Sequence, residues 1–314
     1  MLKRYFVTPS SHELPEVPVV EARGARPGPA LTLFAGVHGC EYAPMAALRS
    51  FMRSLDTGLL SGTVRAVLMA NPTAFRERTP FVTPEDGKNL NRCFPGTRNG
   101  THSERLAEFL FSRFVRGSDA LIDLHAGDLV EALSPFTLHD ASPVADRTRE
   151  LAIAYGMPLA IRQQRAGAAV SGSTCGAAAA DGIPAFIAEA GGCGLVTTEA
   201  VAAHTAGLFR VLVHLGMLRP LEPVPAAPRV RHMNRFVWLR SPVRGWWEPA
   251  VGPGSEVAAG SRLGAVLDPF GEELAEITAP EDGVLVFLTS SPAVGADALL
   301  LALAGGEEVP REAA

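Results

Sequence analysis

The sequence predicts an α/β fold in which a mainly parallel (mixed) sheet is flanked by helices, followed by a small all-β domain. In the first two thirds of the chain, short apolar runs alternate with segments of helical spacing, which is typical of a parallel sheet covered on both faces. A proline-rich stretch then interrupts this pattern, and short β-like runs separated by glycine, proline and acidic turns follow it. We therefore predict an α/β domain at residues 1–218, a linker at 219–229 and an all-β domain at 230–314.

The individual segments of the first domain support these assignments. Buried strands are predicted where apolar runs are short and end at glycine or polar residues, at residues 31–37, 64–71, 120–127, 158–163 and 183–189. Helical spacing covers residues 44–55, 105–115, 143–155 and about 197–218. Thr101 and Glu104 have the spacing of a capping box ahead of the second of these helices.

Composition and charge exclude several classes of function. The chain has 314 residues, of which 19% are charged, and its formal net charge is −5. This weak acidity, without any Lys/Arg run, gives no electrostatic footprint for nucleic acid or an anionic membrane. No apolar stretch is long enough to span a bilayer, and the basic N-terminus has no apolar core of a signal peptide behind it. The four cysteines form no CxxC pair, which favours a reduced, cytoplasmic location.

Several polar residues fall at or just after the ends of predicted strands, namely His38, Asn71, His125 and Glu189. Binding sites in open α/β sheets form at the carboxyl ends of the strands. We therefore expect these side chains to lie close together.

His38, Glu41 and His125 have the residue types of a catalytic zinc site. Such a site takes three protein ligands and keeps a fourth position for water. His38 and Glu41 form an H-x-x-E pair in a glycine-rich turn, and His125 ends another apolar strand. Taken singly, the pair also fits an incidental turn and His125 a buried core residue. Asp123 shares a strand face with His125, where it either orients the imidazole or is a buried structural carboxylate.

The remaining candidate residues concern substrate and base. Glu189 ends an apolar strand, where a carboxylate is costly to bury unless it is paired or functional, and a zinc hydrolase needs a base near the reacting water. In the polar segment at residues 71–96, Arg92 is suited to pair with a substrate carboxylate, and Asn91 beside it could add a hydrogen bond. Arg78 could stabilise the oxyanion that forms when water attacks an amide carbonyl. The alternatives are a loop glutamate and solvated loop arginines.

The sequence resembles the aspartoacylase and succinylglutamate desuccinylase family, relatives of the zinc carboxypeptidases. Five segments carry the resemblance in order: GVHGCE (36–41), NPTAF (71–75), DGKNLNRCFPG (86–96), DLHAG (123–127) and AEAGG (188–192). The resemblance implies a zinc carboxypeptidase-like fold and one Zn²⁺ per chain, held by His38, Glu41 and His125. It also implies that Glu189 is the general base and proton shuttle.

The resemblance further assigns residues to the substrate. Asn91 and Arg92 match the family's N-R pair, which holds the substrate carboxylate. The arginine that polarises the scissile carbonyl is expected after N-P-x-A, where Arg78 is the first candidate and Arg76 the next.

Two features stay open at this point. Many relatives read D-L-N-R, whereas this chain reads N-L-N-R with Asn89 at the first position. The role of the aspartate in that motif, which supports the metal ligands, therefore falls to Asp86 or is absent. Arg162 and Arg165 are interpreted as loop residues that either meet a second substrate carboxylate or are solvated.

The sequence thus predicts a zinc-dependent deacylase that hydrolyses the amide bond of a small N-acyl amino acid or related N-acylated carboxylate. One alternative is a metallocarboxypeptidase acting on a short peptide, which would use the same metal and Arg92. A second is a non-catalytic metal- or carboxylate-binding protein. The expected partner is a small molecule, without nucleic acid or membrane, and a homo-oligomer stays open.

Overall fold

The computed structural model describes residues 1–9, 13–163, 172–219 and 229–308. The strands of this part are β1 (Leu2–Val7), β2 (Val17–Arg23), β3 (Arg26–Ala35), β4 (Ser61–Val67), β5 (Ala120–His125), β6 (Glu131–Leu133), β7 (Phe136–Asp140), β8 (Leu159–Gln163), β9 (Ala185–Glu189), β10 (Arg231–Arg240), β11 (Gly245–Pro249), β12 (Glu256–Val257), β13 (Arg262–Leu267), β14 (Glu273–Thr278), β15 (Gly283–Thr289), β16 (Ala293–Val294) and β17 (Leu299–Glu307). The helices are α1 (Tyr42–Ser54), α2 (Pro72–Glu77), α3 (His102–Leu110), α4 (Ala145–Tyr155), α5 (Thr174–Ala180) and α6 (Thr198–His214), with a 3-10 turn at Leu90–Arg92 and a π turn at Phe111–Val115.

A large mixed sheet forms the centre of the molecule, as the alternating pattern predicts. Its strand order is β1-β2-β4-β3-β5-β9-β7-β8-β10-β17-β15-β12, with β6 paired to β15. The strands β4, β3, β5 and β9 run parallel to one another, whereas β7 is antiparallel to β9. The carboxyl ends of β3, β5 and β9 therefore lie at one edge of the sheet, where sites of this fold class form.

Helices cover both faces of the central strands. Because successive side chains of a strand point to opposite faces, Leu121 of β5 lies in the core beneath α3 and α5, while Ile122 and Leu124 lie in the core beneath α1, α4 and α6. All six residues of β5 are buried. This central strand is thus fixed from two sides, and it is the strand that ends at His125.

Helix ends follow the signals expected from the sequence. The capping box of Thr101 and Glu104 is confirmed at the start of α3. The Thr197 side chain caps α6 by accepting the Ala200 N–H, and the helix ends at His214, four residues before the predicted end. No helix in residues 1–9, 13–163, 172–219 or 229–308 is long and apolar enough to cross a membrane.

Every regular element described beyond residue 229 is a strand. The strands β14, β13, β11 and β16 form a separate four-stranded sheet, and Trp247 lies in the core between it and the strands of the large sheet. β10 also pairs with β8, so the large sheet continues into the C-terminal part. Most of the predicted linker lies outside the described residues, and the predicted domain boundaries stay predictions.

Candidate active site

Three potential metal ligands meet where β3 and β5 end. His38 follows β3, Glu41 precedes the first residue of α1, and His125 is the last residue of β5. Nδ1 of His38 lies 2.6 Å from one carboxylate oxygen of Glu41, and Nδ1 of His125 lies 2.9 Å from the other. One donor atom from each residue lies within 4.8 Å of the other two, and all three residues are buried. The structure thus brings the three predicted ligands together.

Two glycines make the turn that carries His38 and Glu41. Gly36 has a φ of +66°, a conformation that side chains other than glycine rarely adopt. A Cβ on Gly39 would lie 2.2 Å from the carbonyl carbon of Ala74 in α2, so the turn can approach that helix only with glycine at this position. Glu41 makes no side-chain cap bond to α1, because its carboxylate faces the two histidines.

The second nitrogen of each histidine faces an acceptor. His38 Nε2 lies 3.1 Å from Oδ1 of Asn89, which also accepts the Asn91 N–H at 2.8 Å, and His125 Nε2 lies 3.0 Å from Oδ2 of Asp123. The acceptors place a proton on each Nε2 and direct both Nδ1 atoms toward Glu41. Two imidazole nitrogens and a carboxylate in this arrangement fit the donor set of a catalytic metal ion.

These contacts answer the question left open at the N-L-N-R motif. Asn89, not Asp86, contacts His38. The Asp86 carboxylate instead accepts the N–H and the hydroxyl of Ser103, at 2.8 and 2.7 Å. A neutral amide therefore orients one histidine, and the Asp123 carboxylate orients the other.

The charges of the cluster are strongly coupled. Burial would raise the pKa of Glu41, but His125 and His38 lower it to about 2. Burial likewise opposes protonation of His125, yet Asp123 and Glu41 raise the pKa of His125 well above its usual value. Without a metal, the cluster thus holds protons that a bound cation would displace.

Glu189 lies next to this cluster. It ends β9, and its register partner in the parallel strand β5 is His125, so the two side chains share a face. Its Oε2 is buried and has no hydrogen-bond partner in the described part of the chain. Burial raises the pKa of Glu189 to about 8, with Glu41 and Asp123 adding to the rise and His125 opposing it. A carboxyl of this kind can exchange a proton near neutral pH.

Asn91 and Arg92 lie on the 3-10 turn beside His125. Asn91 is buried, and its Oδ1 accepts the Thr174 N–H at 3.0 Å. Its Nδ2 therefore lies toward His125 Nε2, 3.4 Å away, but both atoms carry protons and this contact is not a hydrogen bond. The Arg92 side chain is partly exposed and donates to the Asn91 carbonyl at 2.8 Å. Thr174 also donates its hydroxyl to Asp123, a contact that no sequence pattern indicated.

Arg78 and Arg76 occupy different environments. Arg78 caps the end of α2 with a φ of 54°, and its charge opposes the rise that burial causes in the pKa of Cys40 and Tyr42. It therefore lies near the turn that carries the ligands. Both arginines are exposed, and Arg76 contacts the Thr73 hydroxyl of its own helix, 3.5 Å away. The assignment of the carbonyl-polarising arginine to Arg78 stays a prediction.

Asn71, predicted to join the strand-end cluster, has a different place. Its Oδ1 accepts the Ala74 N–H at the start of α2, and its Nδ2 donates to the Thr83 hydroxyl at 3.0 Å. Asn71 thus holds the loop that carries Arg78.

Two buried acidic residues near the site were missed by sequence reasoning. Asp128 accepts the Phe81 N–H at 2.9 Å, and the Phe81 ring lies edge-on to His38. Glu131 accepts the Asp128 N–H at 2.9 Å, and burial raises its pKa to about 9. Their only signal in the sequence is acidic residues soon after D-L-H-A-G, which a surface loop would also show.

The prediction that Arg162 lies in a loop is wrong, and of its two alternative roles the structure favours the solvated one. Arg162 lies in β8, opposite His139 of β7, while Phe136 at the other end of β7 pairs with Glu189. Because β7 runs antiparallel to β9, Arg162 lies toward the opposite edge of the sheet, where it contacts Glu308 at 3.1 Å. Arg165 lies outside the described residues.

Comparisons with known proteins agree with this arrangement. The model of the succinylglutamate desuccinylase/aspartoacylase catalytic domain matches residues 27–215. The N-alpha-acetyl-L-2,4-diaminobutyric acid deacetylase of Halomonas elongata is 32% identical over 268 residues, which cover 82% of this chain and 77% of the relative. The succinylglutamate desuccinylase of Pseudomonas paraeruginosa is 33% identical over 183 residues, 54% of this chain and 52% of that protein.

Solved structures share the fold over nearly the whole chain. The succinylglutamate desuccinylase/aspartoacylase from Rhodobacter sphaeroides superimposes with a TM-score of 0.83 at 25% identity, covering 96% of this chain and 95% of the other. The product-bound ectoine utilization protein EutE (DoeB) from Ruegeria pomeroyi has the same fold, with a TM-score of 0.84 at 21% identity and coverages of 97% and 95%. With the family model matching more than half of its residues, the chain belongs to the succinylglutamate desuccinylase/aspartoacylase family.

Proposed function

We propose that this protein is a zinc-dependent amidohydrolase that removes the acyl group from a small N-acyl amino acid or a related N-acylated carboxylate. The observation that carries the proposal is the convergence of His38, Glu41 and His125 beside a carboxyl, Glu189, whose Oε2 has no partner among the described residues. Deacetylase and desuccinylase relatives support the reaction class.

His38 and His125 would hold the zinc ion through Nδ1, and Glu41 through its carboxylate. When bound, zinc lowers the pKa of a water molecule toward neutrality and polarises the amide carbonyl. Asn89 and Asp123 hold the two imidazoles in the required tautomer, which keeps their orientation fixed during the reaction.

Glu189 takes the proton of the attacking water and returns it to the leaving amine. Its unpaired Oε2 can accept that proton without first breaking another hydrogen bond. In the metal-free protein, burial raises the pKa of this carboxyl toward neutrality, so that Glu189 can both accept and release a proton.

Arg92 and Arg78 have the charge that the substrate requires. The partly buried Arg92 guanidinium can pair with the substrate carboxylate, and Asn91 extends the same turn toward His125. Arg78 would stabilise the negative charge that develops on the amide oxygen.

A small substrate fits better than a peptide. In the C-terminal part, β15 pairs with β6, and the Ser290 N–H bonds the Val130 carbonyl, so C-terminal strands contact the loop that follows His125 and narrow the space on that side of the site. An N-acetylated diamino acid is a natural first substrate to test, because the Halomonas elongata relative acts on one. The four cysteines are free, which supports a reducing, cytoplasmic location as part of the proposal.

The test is a hydrolysis screen of zinc-loaded enzyme, scored by release of free amine. The panel contains N-acetyl and N-succinyl amino acids, including N-α-acetyl-2,4-diaminobutyrate, and short peptides as the competing class. Glu189→Gln should keep its zinc and lose at least about 100-fold in kcat. A fully active Glu189→Gln enzyme, or cleavage of peptides alone, would contradict the proposal, and zinc binding without any turnover would favour a non-catalytic protein.

A further inference from the structure

A buried polar pair lies beneath the site, and the chemistry described above does not use it. His204 belongs to α6, Tyr155 ends α4, and both side chains are fully buried. Buried polar groups are costly unless each has a partner. The partners of this pair lead to the two strand ends of the site.

The hydrogen bonds of His204 determine its tautomer. Nε2 lies 3.2 Å from the carbonyl oxygen of His125 and 3.3 Å from that of Ala190. Carbonyl oxygens only accept, so Nε2 carries the proton and donates to both. Nδ1 is then the acceptor, and the Tyr155 hydroxyl donates to it at 2.9 Å.

Tyr155 is itself held firmly. A Cβ at Gly207 would lie 2.5 Å from the Tyr155 ring, so the absence of a side chain there lets the ring pack directly on α6. The Arg210 guanidinium donates two bonds to the Tyr155 carbonyl, at 2.6 and 3.0 Å. The hydroxyl that sets the tautomer of His204 therefore has a fixed position.

One of the two carbonyls that His204 binds belongs to the last residue of β5, and the other to the residue that follows β9. The Ala190 N–H bonds the His125 carbonyl at 3.1 Å, and the Gly127 N–H bonds the Gly191 carbonyl at 3.1 Å, so the two segments stay paired just beyond the strand ends. His125 is a proposed zinc ligand, and Ala190 directly follows Glu189. The imidazole thus bridges the ends of two strands, one carrying a metal ligand and the other the base.

We propose that His204, oriented by Tyr155, is a positioning residue that fixes the separation between His125 and Glu189. This inference rests on the proposed function of the same site. A shift of about 1 Å in a catalytic group can cost about 100-fold in rate, and the outer partners of metal ligands typically contribute 10- to 100-fold. The His204 Nε2–H, which bonds the carbonyls at both strand ends, adds to the backbone bonds that hold His125 and Glu189 at this separation.

Four variants separate positioning from packing. His204→Leu removes the donor, His204→Gln can supply an N–H near the place of Nε2, and Tyr155→Phe removes only the hydroxyl. Leu208→Ala is the matched control, because Leu208 is buried one turn further along α6 in the same core. Each variant is measured for kcat and KM, for zinc affinity, for the absorption spectrum of the cobalt-substituted protein, and for its melting temperature.

We expect His204→Leu to lose about 10- to 100-fold in kcat with KM changed less than about threefold, and to alter the cobalt spectrum. His204→Gln should recover most of the lost kcat and most of the wild-type cobalt spectrum. Tyr155→Phe should lose about 3- to 10-fold in kcat. Leu208→Ala should lower the melting temperature while kcat and the cobalt spectrum stay unchanged. A purely structural role of His204 would move the melting temperature in the same way as Leu208→Ala.

The outcomes that overturn the inference are distinct from failure of the proposed function. A folded His204→Leu protein with wild-type kcat and cobalt spectrum overturns it, as does an equal loss in His204→Gln or Leu208→Ala. If His204→Leu does not fold, Tyr155→Phe decides by the same two readouts. If the wild-type protein hydrolyses no amide, the proposed function fails. The inference then stands or falls on whether His204→Leu alters the cobalt spectrum and His204→Gln restores it.

Discussion

Replacement of Asn89 by Asp should tighten zinc binding. In the present structure, Asn89 Oδ1 accepts both the Asn91 N–H and the His38 Nε2–H, at 2.8 and 3.1 Å. An aspartate keeps both acceptor contacts and adds a negative charge next to the imidazole. The charge strengthens the hydrogen bond and makes His38 a more basic ligand.

The magnitude follows from the change of one hydrogen bond. A neutral hydrogen bond contributes about 1 kcal/mol net, and one to a charged group about 1.5 to 3 kcal/mol. The difference of about 0.5 to 2 kcal/mol corresponds to a Kd for zinc that is lower by about 2- to 30-fold. The half-buried position of Asn89 keeps the cost of desolvating the new carboxylate moderate. Asn89→Leu, which removes the acceptor, should weaken zinc binding by about 10- to 100-fold.

The assay is competition for zinc with a chromophoric chelator at fixed pH. Asp86→Asn is the control, because Asp86 lies on the same loop but contacts Ser103 and the Lys88 N–H instead of His38. Its zinc Kd should stay within about threefold of the wild type. An unchanged or weaker affinity in Asn89→Asp, or an equal shift in Asp86→Asn, would refute the reasoning.

Three further predictions concern the arginines, a buried carboxyl and the metal. Arg78→Ala should lower kcat by about 10- to 1,000-fold, by analogy with the loss of an oxyanion donor. Arg76→Ala should leave kcat unchanged, and equal effects of the two substitutions would contradict the assignment of Arg78. Glu131 has its pKa raised from 4.5 to about 9, so the folded state keeps a proton that the unfolded chain releases. The free energy of unfolding of the metal-free protein should therefore fall as pH rises between about 4.5 and 9, by up to about 1.4 kcal/mol per pH unit, and Glu131→Gln should flatten this slope in denaturant titrations. An equal dependence of the unfolding free energy on pH in the wild type and in Glu131→Gln would contradict this role of Glu131. Chelation should abolish hydrolysis and lower the melting temperature, with zinc restoring both; full activity in the chelated protein would contradict a metal-dependent reaction.

Much of the fold could be predicted because periodicity is a local property. The largely apolar run before His125, interrupted by Asp123, predicts a strand buried on both faces, and β5 is such a strand. The position of His38, His125 and Glu189 after three such runs predicts their convergence, since parallel strands end at one edge. The structure brings His38 and His125 together with Glu41 and sets Glu189 beside His125.

Contacts between distant segments could not be predicted in the same way. Whether Asn89 or Asp86 meets His38 depends on the path of an irregular loop, which carries no periodicity. The contact of Thr174 with Asp123 spans 51 residues, and that of His204 with the His125 carbonyl spans 79. Such pairs arise only when helices dock on the sheet.

The sequence by itself determined the residue types of the site and the strand ends that carry them, because hydrophobic spacing specifies strands and their ends locally. Only the tertiary structure decided which partners orient His38 and His125, and that Arg162 lies away from the site. The physical reason is that the direction of β7 relative to β9 and the docking of α6 depend on side-chain packing between segments far apart in the chain, and no local pattern encodes that packing.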